Sequence, residues 1–365
     1  MIPAAGGGTP RRRRLPSPTV EESVATGAGV LATVVRSGVV ESVHHGHLAS
    51  VGADGSGPRV GRPGTTFFPR SALKPVQAAA MLRAGLDLDG ELLALAAASH
   101  AGLPGHREGA ARILARAGLD TGALRNTPDL PLDAEAAASW RAAGSPPAPV
   151  AQNCSGKHAA MLATCVAAGW DTASYLDPGH PLQRAIRRHV EALTGDDVRH
   201  VAVDGCGAPL FSCTVAGLAR AFSAIATAGP DTPEGRVAAA IRAHPEWLGG
   251  PVRPVTRILR AVPGLVAKDG AEGVFAAALP DGRALALTVL DGAARPVPAV
   301  VAAALRALGV RSAELDAVGH VPVLGHGAEV GAVQPAVPAV LTEPAVPTEP
   351  AVPTELPSPV AGGAA

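Results

Sequence analysis

Residues 273–290 read GVFAAALPDGRALALTVL, two apolar runs separated by Pro280-Asp281-Gly282. Turn-forming residues between two such runs predict a β-hairpin. Residues 30–50 predict a second hairpin, because apolar and polar residues alternate there and Ser37-Gly38 interrupts them. A last strand is predicted over Val321 to Val333. Strands therefore gather towards both ends of the chain.

The residues between these strands are rich in alanine and leucine, and they predict helices. The predicted helices cover Gln77 to Leu86, Gly90 to Ala98, Arg107 to Ala117, Ala134 to Ala143, Lys157 to Gly169, Leu182 to Leu193, Val215 to Ala228, Pro233 to Ala243 and Pro298 to Leu308. The strand–helix alternation of a parallel sheet is missing. The predicted fold class is therefore α/β in the α+β sense, one antiparallel β-sheet that the terminal segments close and that packs with helices.

Composition limits the classes of function. The 365 residues include 31 basic and 31 acidic side chains, so there is no electrostatic case for nucleic acid or an anionic membrane surface. No apolar run approaches the ~20 residues of a membrane span, and no secretory signal is convincing. Four cysteines are too few and too clustered for a disulfide framework, which favours a cytoplasmic protein.

Both ends of the chain differ from its middle. Residues 1–22 are rich in Gly, Pro and Arg and predict a disordered leader, whereas residues 337–365 repeat Pro-Ala-Val-Pro and predict an extended, disordered tail. The predicted folded domain covers residues 23–336.

Ser71 and Lys74 form the first candidate pair, in Arg70-Ser71-Ala72-Leu73-Lys74-Pro75. Residues three apart share one face of a helix, and Pro75 is compatible only with a first turn. The exposed N–H groups of a helix start favour developing negative charge. A serine needs a neighbouring base, and lysine serves only if burial or nearby cations lower its pKa from about 10.4 to about 7. The alternative is a surface lysine near a chance serine.

Three further stretches carry polar residues in apolar surroundings. Ser99-His100 follows a helix. Its polar side chains either line a pocket or belong to an ordinary helix C-terminus. Asn153-Cys154-Ser155-Gly156-Lys157-His158 and Asp204-Gly205-Cys206 each offer a thiol. Cys154 and Cys206 could meet at a zinc ion, since thiolate is its preferred soft ligand, or form a disulfide, or be buried separately. Cys165 and Cys213 lie among apolar residues and are predicted in the core.

A lysine also precedes the hairpin, in Lys268-Asp269-Gly270-Ala271-Glu272-Gly273. Glycines that hold a lysine at the edge of a strand can point it into a cleft, although a solvated loop explains the pattern equally well.

Taken together, these motifs resemble the asparaginase II family, of the zinc-containing, Ser–Lys dependent type found in rhizobia and actinobacteria. Other matching motifs are Glu41-Ser42-Val43-His44, Asp177-Pro178, His180-Pro181-Leu182-Gln183 and His244-Pro245, and the resemblance covers nearly all of residues 25–334. It implies a fold like that of the serine β-lactamases and penicillin-binding proteins, and usually a homodimer.

The resemblance also implies the residues of the site. The catalytic pairs would be Ser71 with Lys74 and Ser99 with Lys268. Zinc would bind Cys154, Lys157 and Cys206. The residues expected to bind substrate are Arg70, His100, Asn153, Asp204, Gly270, Ala271 and Glu272. Two departures bear on substrate fit, because Ala101-Gly102-Leu103 and Pro254-Val255 stand where the family usually has acidic residues.

The predicted reaction is hydrolysis of L-asparagine to L-aspartate and ammonia. Ser71 is the favoured nucleophile because a helix start supplies N–H donors to the oxyanion, although the sequence leaves Ser99 open. One rival is a penicillin-recognising or other small-amide serine hydrolase, for which Lys268-Asp269-Gly270 imperfectly matches a Lys-Thr-Gly element. The other is a binding protein that senses an amino acid without turnover.

Overall fold

The computed structural model describes residues 24–52 and 57–337. The predicted leader, and all but the first residue of the predicted tail, lie outside these ranges. The domain boundaries therefore stay predictions. In the described part of the chain, no helix combines the length and the apolar character needed to cross a membrane.

Seven strands form one antiparallel sheet in the order β10-β11-β1-β2-β9-β8-β7. They are β1 (Gly29–Arg36), β2 (Val39–Val51), β7 (Val266–Gly270), β8 (Val274–Ala278), β9 (Ala284–Val289), β10 (Pro322–Gly325) and β11 (Ala328–Pro335). Short two-stranded pairs are made by β3 (Thr66–Phe67) with β6 (Cys213–Thr214), and by β4 (Val201–Val203) with β5 (Pro209–Phe211). Because β11 pairs with β1, the terminal segments close the sheet, as predicted.

Twelve helices complete the described fold. They are α1 (Lys74–Arg83), α2 (Gly90–Ala96), α3 (Pro104–Arg116), α4 (Ala134–Ala142), α5 (Ser155–Ala167), α6 (Pro181–Thr194), α7 (Val215–Thr227), α8 (Pro233–Ala243), α9 (Pro245–Gly249), α10 (Pro254–Ala261), α11 (Val297–Ala307) and α12 (Ala313–Gly319). The nine predicted helices and the antiparallel sheet are confirmed. The sequence missed α9, α10 and α12, which are short.

The single strand predicted over Val321 to Val333 was wrong, because the segment turns back on itself as β10 and β11. Two residues in this turn, His326 and Gly327, have positive φ values of 48° and 82°, which is how the chain reverses there.

The core lies between the sheet and its helices. Every residue of β8 and β9 is buried, and successive side chains of a strand point to opposite faces. Both faces of the central sheet are therefore covered, and α7 and α11 are helices that contact these two strands. Cys165 and Cys213 are 0% and 1% exposed in this core, which confirms their predicted place.

Gly270 brings the edge strand close to the residues that carry the first candidate serine. A 3₁₀ turn, Arg70–Leu73, leads into α1 and packs against β7. A Cβ atom added at Gly270 would lie 2.7 Å from Pro69 O and 3.0 Å from Val274 Cβ. Only a residue without a side chain allows this approach.

We expect Gly270→Ala to lower the free energy of unfolding by about 1–3 kcal/mol, because the added methyl group overpacks a contact with backbone atoms. Urea unfolding followed by circular dichroism measures the change. Gly105→Ala in α3 is the matched control, since its methyl group meets no atom within 4 Å. Equal midpoints for the two variants would contradict the assigned role of Gly270.

Candidate active site

A cavity of about 330 Å³ opens where several ends of helices and strands meet. Polar residues line part of it: Ser71, Ser99, Asn153, Arg253, Asp269 and Glu272. The rest of its lining is largely glycine and apolar side chains, among them Leu132, Pro254, Val255, Phe275, Val297 and Pro298. Residues far apart in the chain therefore share one concave surface, which is typical of a small-molecule site.

Lys74 contacts Ser99 directly. Its side chain is 1% exposed, and Nζ lies 3.0 Å from Ser99 Oγ, 2.5 Å from Ala98 O and 3.1 Å from Cys154 Sγ. A neutral lysine amine has two N–H donors and one lone pair. Ala98 O and Cys154 Sγ can accept from the two N–H groups, so that the lone pair can accept the proton of Ser99. The arrangement fits a serine and its base.

The loop after α2 places Ser99 for this contact. Ser99 N donates to Leu248 O at 3.1 Å, and His100 N donates to Asn153 O at 3.0 Å. Two backbone bonds to distant segments thus fix the serine, which is 4% exposed and faces the cavity.

The hydrogen bonds of the two lysines differ from the predicted pairs, Ser71 with Lys74 and Ser99 with Lys268. Lys74 binds Ser99, whereas the hydrogen bonds of Lys268 go to the backbone oxygen (2.7 Å) and the carboxylate of Asp269. Ser71 lines the cavity, and its hydroxyl makes no hydrogen bond within the described residues. The cause is that Lys74 is buried and extends to the end of α2, while the neighbouring turn holds Ser71 at the cavity surface.

Lys268 lies behind the cavity with a depressed pKa. Its side chain is fully buried, and burial, Lys74 and Arg253 lower its pKa to about 8, although Asp269 acts in the opposite direction. Despite its own burial, Asp269 has a pKa lowered to about 2 by Lys268 and Arg253. Asp269 therefore carries a negative charge between two basic groups.

Arg253 completes this cluster. Its guanidinium pairs with Asp269 and donates to Ser99 O at 2.5 Å. A charged group thereby fixes the backbone of the serine that contacts Lys74.

Two thiols and a third lysine meet next to Lys74. Cys154, Lys157 and Cys206 are all buried, and Lys157 Nζ lies 3.2 Å from Cys206 Sγ. Asp204 Oδ2 is 3.4 Å from the same sulfur. The start of α5 and the loop between β4 and β5 thus bring together the three side chains that the resemblance implied as metal ligands.

The pKa values of the two thiols shift in opposite directions. A hydrogen bond from Cys206 lowers the pKa of Cys154 well below its ordinary value, helped by Lys74 and Lys157. The same bond and burial raise the pKa of Cys206. Burial alone would lower the pKa of Lys157, but Cys206, Cys154 and Asp204 outweigh burial and raise it.

The donor chemistry fits a thiophilic metal ion. Cys154 and Cys206 supply thiolate, the soft ligand that zinc prefers, whereas Lys157 would have to lose its proton to bind the ion. Nearby, His158 Nε2 is buried without a hydrogen-bond partner in the described chain. Burial and the charge on Lys157 lower the pKa of His158 to about 4, so its ring is neutral at pH 7. No cluster of three or more His, Cys, Asp or Glu side chains arranged for a metal occurs within residues 24–52 and 57–337.

The residues expected to bind substrate divide into two groups. Asn153, Gly270, Ala271 and Glu272 line the cavity. Arg70, His100 and Asp204 do not belong to its lining.

Arg70 and Asp204 bind each other instead, with Arg70 Nε donating to Asp204 Oδ1 at 2.7 Å. Arg70 also lies 3.7 Å from Glu272 and has a φ of 52°, a left-handed conformation that is unusual for a residue with a side chain. The pair joins the turn of Ser71 to the loop of Cys206.

His100 is fully buried and has both ring nitrogens engaged. Nδ1 accepts from Gly102 N at 3.1 Å, so Nε2 carries the proton and donates to Ser155 Oγ at 2.9 Å. Burial, His106 and Lys74 lower its pKa well below the ordinary value. His100 therefore positions the start of α5 and, contrary to the expectation, offers no free atom to a substrate.

Sequence reasoning did not single out Arg253 and Asp269, which the structure places in the cavity lining. Asp269 directly follows Lys268 in the quoted motif, which was a usable signal. Arg253 follows Gly249-Gly250-Pro251 and precedes Pro254, so its surroundings indicate only a loop.

Comparisons with known proteins give a family match and a distant structural likeness. The family model described as L-asparaginase II matches residues 32–335. Among curated proteins, none is detectably similar in sequence to this chain. One similar solved structure is that of EstCE1, a hydrolase with promiscuous acyltransferase activity, at 14% sequence identity and a TM-score of 0.36, over 81% of this chain and 94% of that chain. The family match spans most of the sequence and includes every residue of the cavity, and the chain belongs to the L-asparaginase II family.

Proposed function

We propose that this protein hydrolyses L-asparagine to L-aspartate and ammonia, with Ser99 as the nucleophile and Lys74 as its base. The observation that carries the proposal is the 3.0 Å contact between Lys74 Nζ and Ser99 Oγ. Ser99 lines the cavity, and the chain belongs to the L-asparaginase II family. Ser99 replaces Ser71, which the sequence favoured, because the lysine contacts Ser99.

The reaction proceeds in two halves. Ser99 Oγ attacks the side-chain amide carbon of asparagine while its proton moves to Lys74 Nζ. The C–N bond then breaks, and Lys74 gives this proton to the leaving nitrogen, which departs as ammonia. Water attacks the resulting ester and passes a proton to Lys74, which returns it to Ser99 Oγ as aspartate leaves.

Ser71 donates to the oxyanion in this proposal. Its hydroxyl lines the same cavity and has no hydrogen-bond partner among the described residues, so it is free to bind a substrate oxygen. A donor placed where negative charge develops stabilises the transition state more than the ground state.

Lys268, Asp269 and Arg253 set the charge around this pair. A protonated Lys268 would oppose the uptake of a second positive charge by Lys74, so the reaction needs Lys268 neutral. Arg253 anchors Ser99 through its backbone oxygen, and Asp269 keeps Arg253 in place.

We further propose that Cys154, Lys157 and Cys206 hold a zinc ion. A bound zinc ion would supply a fixed positive charge that keeps the thiols ionised and Lys157 neutral. Elemental analysis should find about one zinc per chain, and Cys206→Ser should lose most of it. Protein that is expressed in zinc-supplemented medium and purifies without metal would exclude this site.

The test of the function is ammonia release from L-asparagine by the purified protein, measured against a sample without enzyme. The proposal fails if a folded preparation releases no ammonia. A fluorescent penicillin distinguishes the penicillin-recognising rival, because that class forms a stable acyl-enzyme with the label.

A homodimer in the cytoplasm is also proposed, from the family resemblance. Sedimentation equilibrium should give about twice the mass of one chain, which is 36.3 kDa. A monomer at micromolar concentration would exclude the dimer.

The pH dependence should follow Lys268. Its pKa of about 8 places the neutral form above that pH, so kcat/KM for asparagine should rise with pH and level off above a midpoint near 8. Because Asp269 raises the pKa of Lys268, Asp269→Asn should move the midpoint to lower pH. Initial rates between about pH 6 and about pH 10 measure both midpoints. A flat profile, or a shift to higher pH in Asp269→Asn, would contradict the role of Lys268.

A further inference from the structure

The cavity is larger than a single small amino acid requires. Its volume of about 330 Å³ lies within the range of roughly 300–1,000 Å³ that holds drug-sized ligands. Asparagine, bound for attack at Ser99, would leave part of this space for another chemical group.

One wall of the cavity is apolar. Leu132 comes from the loop before α4, Pro254 and Val255 from the start of α10, and Val297 and Pro298 from the start of α11. Three separate segments thus place aliphatic side chains on one cavity. Contact with such a wall stabilises an aliphatic group in proportion to the apolar area removed from water.

Leu132 marks the solvent-exposed mouth of the cavity, whereas the reactive serine lies at its closed end. Leu132 keeps 50% of its surface exposed, while Ser99 is 4% exposed and Lys74 is 1% exposed. Lys74 protonates the leaving nitrogen in the proposed reaction, so that nitrogen lies at the closed end. A small leaving group such as ammonia fits there, and the acyl part of the substrate extends towards Leu132.

We propose that this enzyme also hydrolyses neutral aliphatic primary carboxamides, whose alkyl chain binds the wall formed by Leu132, Val255, Val297 and Pro298. This inference rests on the proposed amide hydrolysis at Ser99. For hexanamide, the Ser99 Oγ–C bond forms as the C–N bond breaks, and the serine proton leaves with nitrogen as ammonia. Water then releases hexanoate and restores the serine.

Ammonia release from acetamide, butanamide and hexanamide by the purified enzyme tests the wall. Each buried methylene group should raise kcat/KM about fourfold, so hexanamide should exceed acetamide by at least about tenfold. A ratio below about tenfold would overturn the proposal, because the wall would then not bind the chain.

Leu132→Asn tests which side chain is responsible. It should lower the ratio of hexanamide to acetamide by about fivefold or more, since a polar amide replaces the aliphatic contact. Leu324→Asn on β10 is the matched control, because Leu324 is similarly exposed (57%) and lies outside the cavity lining. An unchanged ratio in Leu132→Asn, or an equal fall in both variants, would count against this wall.

The same assays separate this inference from the proposed function. If asparagine is hydrolysed and the amide series shows no dependence on chain length, the apolar wall is wrong and the asparaginase proposal stands. If hexanamide is hydrolysed and asparagine is not, the asparaginase proposal is wrong and the wall stands. If no amide releases ammonia, both are wrong.

Discussion

Replacing Ser99 with alanine should lower kcat for asparagine hydrolysis by about 10⁴-fold or more, since the variant lacks the oxygen that attacks the amide. The expected loss rests on the buried contact of Ser99 with Lys74 and on the place of Ser99 in the cavity. Ammonia release at saturating asparagine measures kcat, and circular dichroism confirms that the variant is folded.

Ser71→Ala and Ser139→Ala are the controls for this result. Ser71→Ala should cost on the order of 10²-fold in kcat, as expected for the loss of one oxyanion donor. Ser139 is an exposed residue of α4 outside the cavity lining, so its variant should match the wild type. A larger loss in Ser71→Ala than in Ser99→Ala would make Ser71 the nucleophile.

Replacing Lys74 with methionine should be about as damaging as removing Ser99, on the order of 10⁴-fold in kcat. Methionine keeps a flexible, unbranched side chain of similar length in this buried position but cannot accept a proton. Because the two residues act as one unit, the double variant Ser99→Ala, Lys74→Met should be no slower than either single variant.

Two further measurements make the Lys74 result interpretable. Lys74 also contacts Cys154, so the metal content of Lys74→Met should be compared with that of the wild type. A variant that keeps its metal and its thermal midpoint but loses turnover supports a role in proton transfer. Multiplied losses in the double variant would show that the lysine and serine act independently.

Much of the fold could be predicted from local patterns. The hairpin around Pro280-Asp281-Gly282 and the alanine-rich helices are short-range features, and the structure confirms them. The order of the strands was not predictable, because no local pattern specifies that β2 pairs with β9. Helices α9 and α10 were missed because they are short, at 5 and 8 residues.

The sequence predicted which residues form the candidate site, but it did not predict which of them contact one another. The motifs named Ser71, Lys74, Ser99 and Lys268, and the structure gathers them around one cavity. Which serine each lysine contacts depends on backbone bonds such as Ser99 N to Leu248 O, and these join residues far apart in sequence. Proximity in sequence suggested Ser71 as the partner of Lys74, whereas in the folded chain Lys74 contacts Ser99.

The left-handed backbone of Arg70 bears on any effort to move this centre to another scaffold. The conformation costs free energy in a residue with a Cβ atom, and the bond to Asp204, 134 positions away, holds it. A transplanted Arg70-Ser71-Ala72-Leu73-Lys74-Pro75 segment without that carboxylate would relax to an ordinary turn. A designer would therefore have to copy the loop of Asp204 together with the hexapeptide.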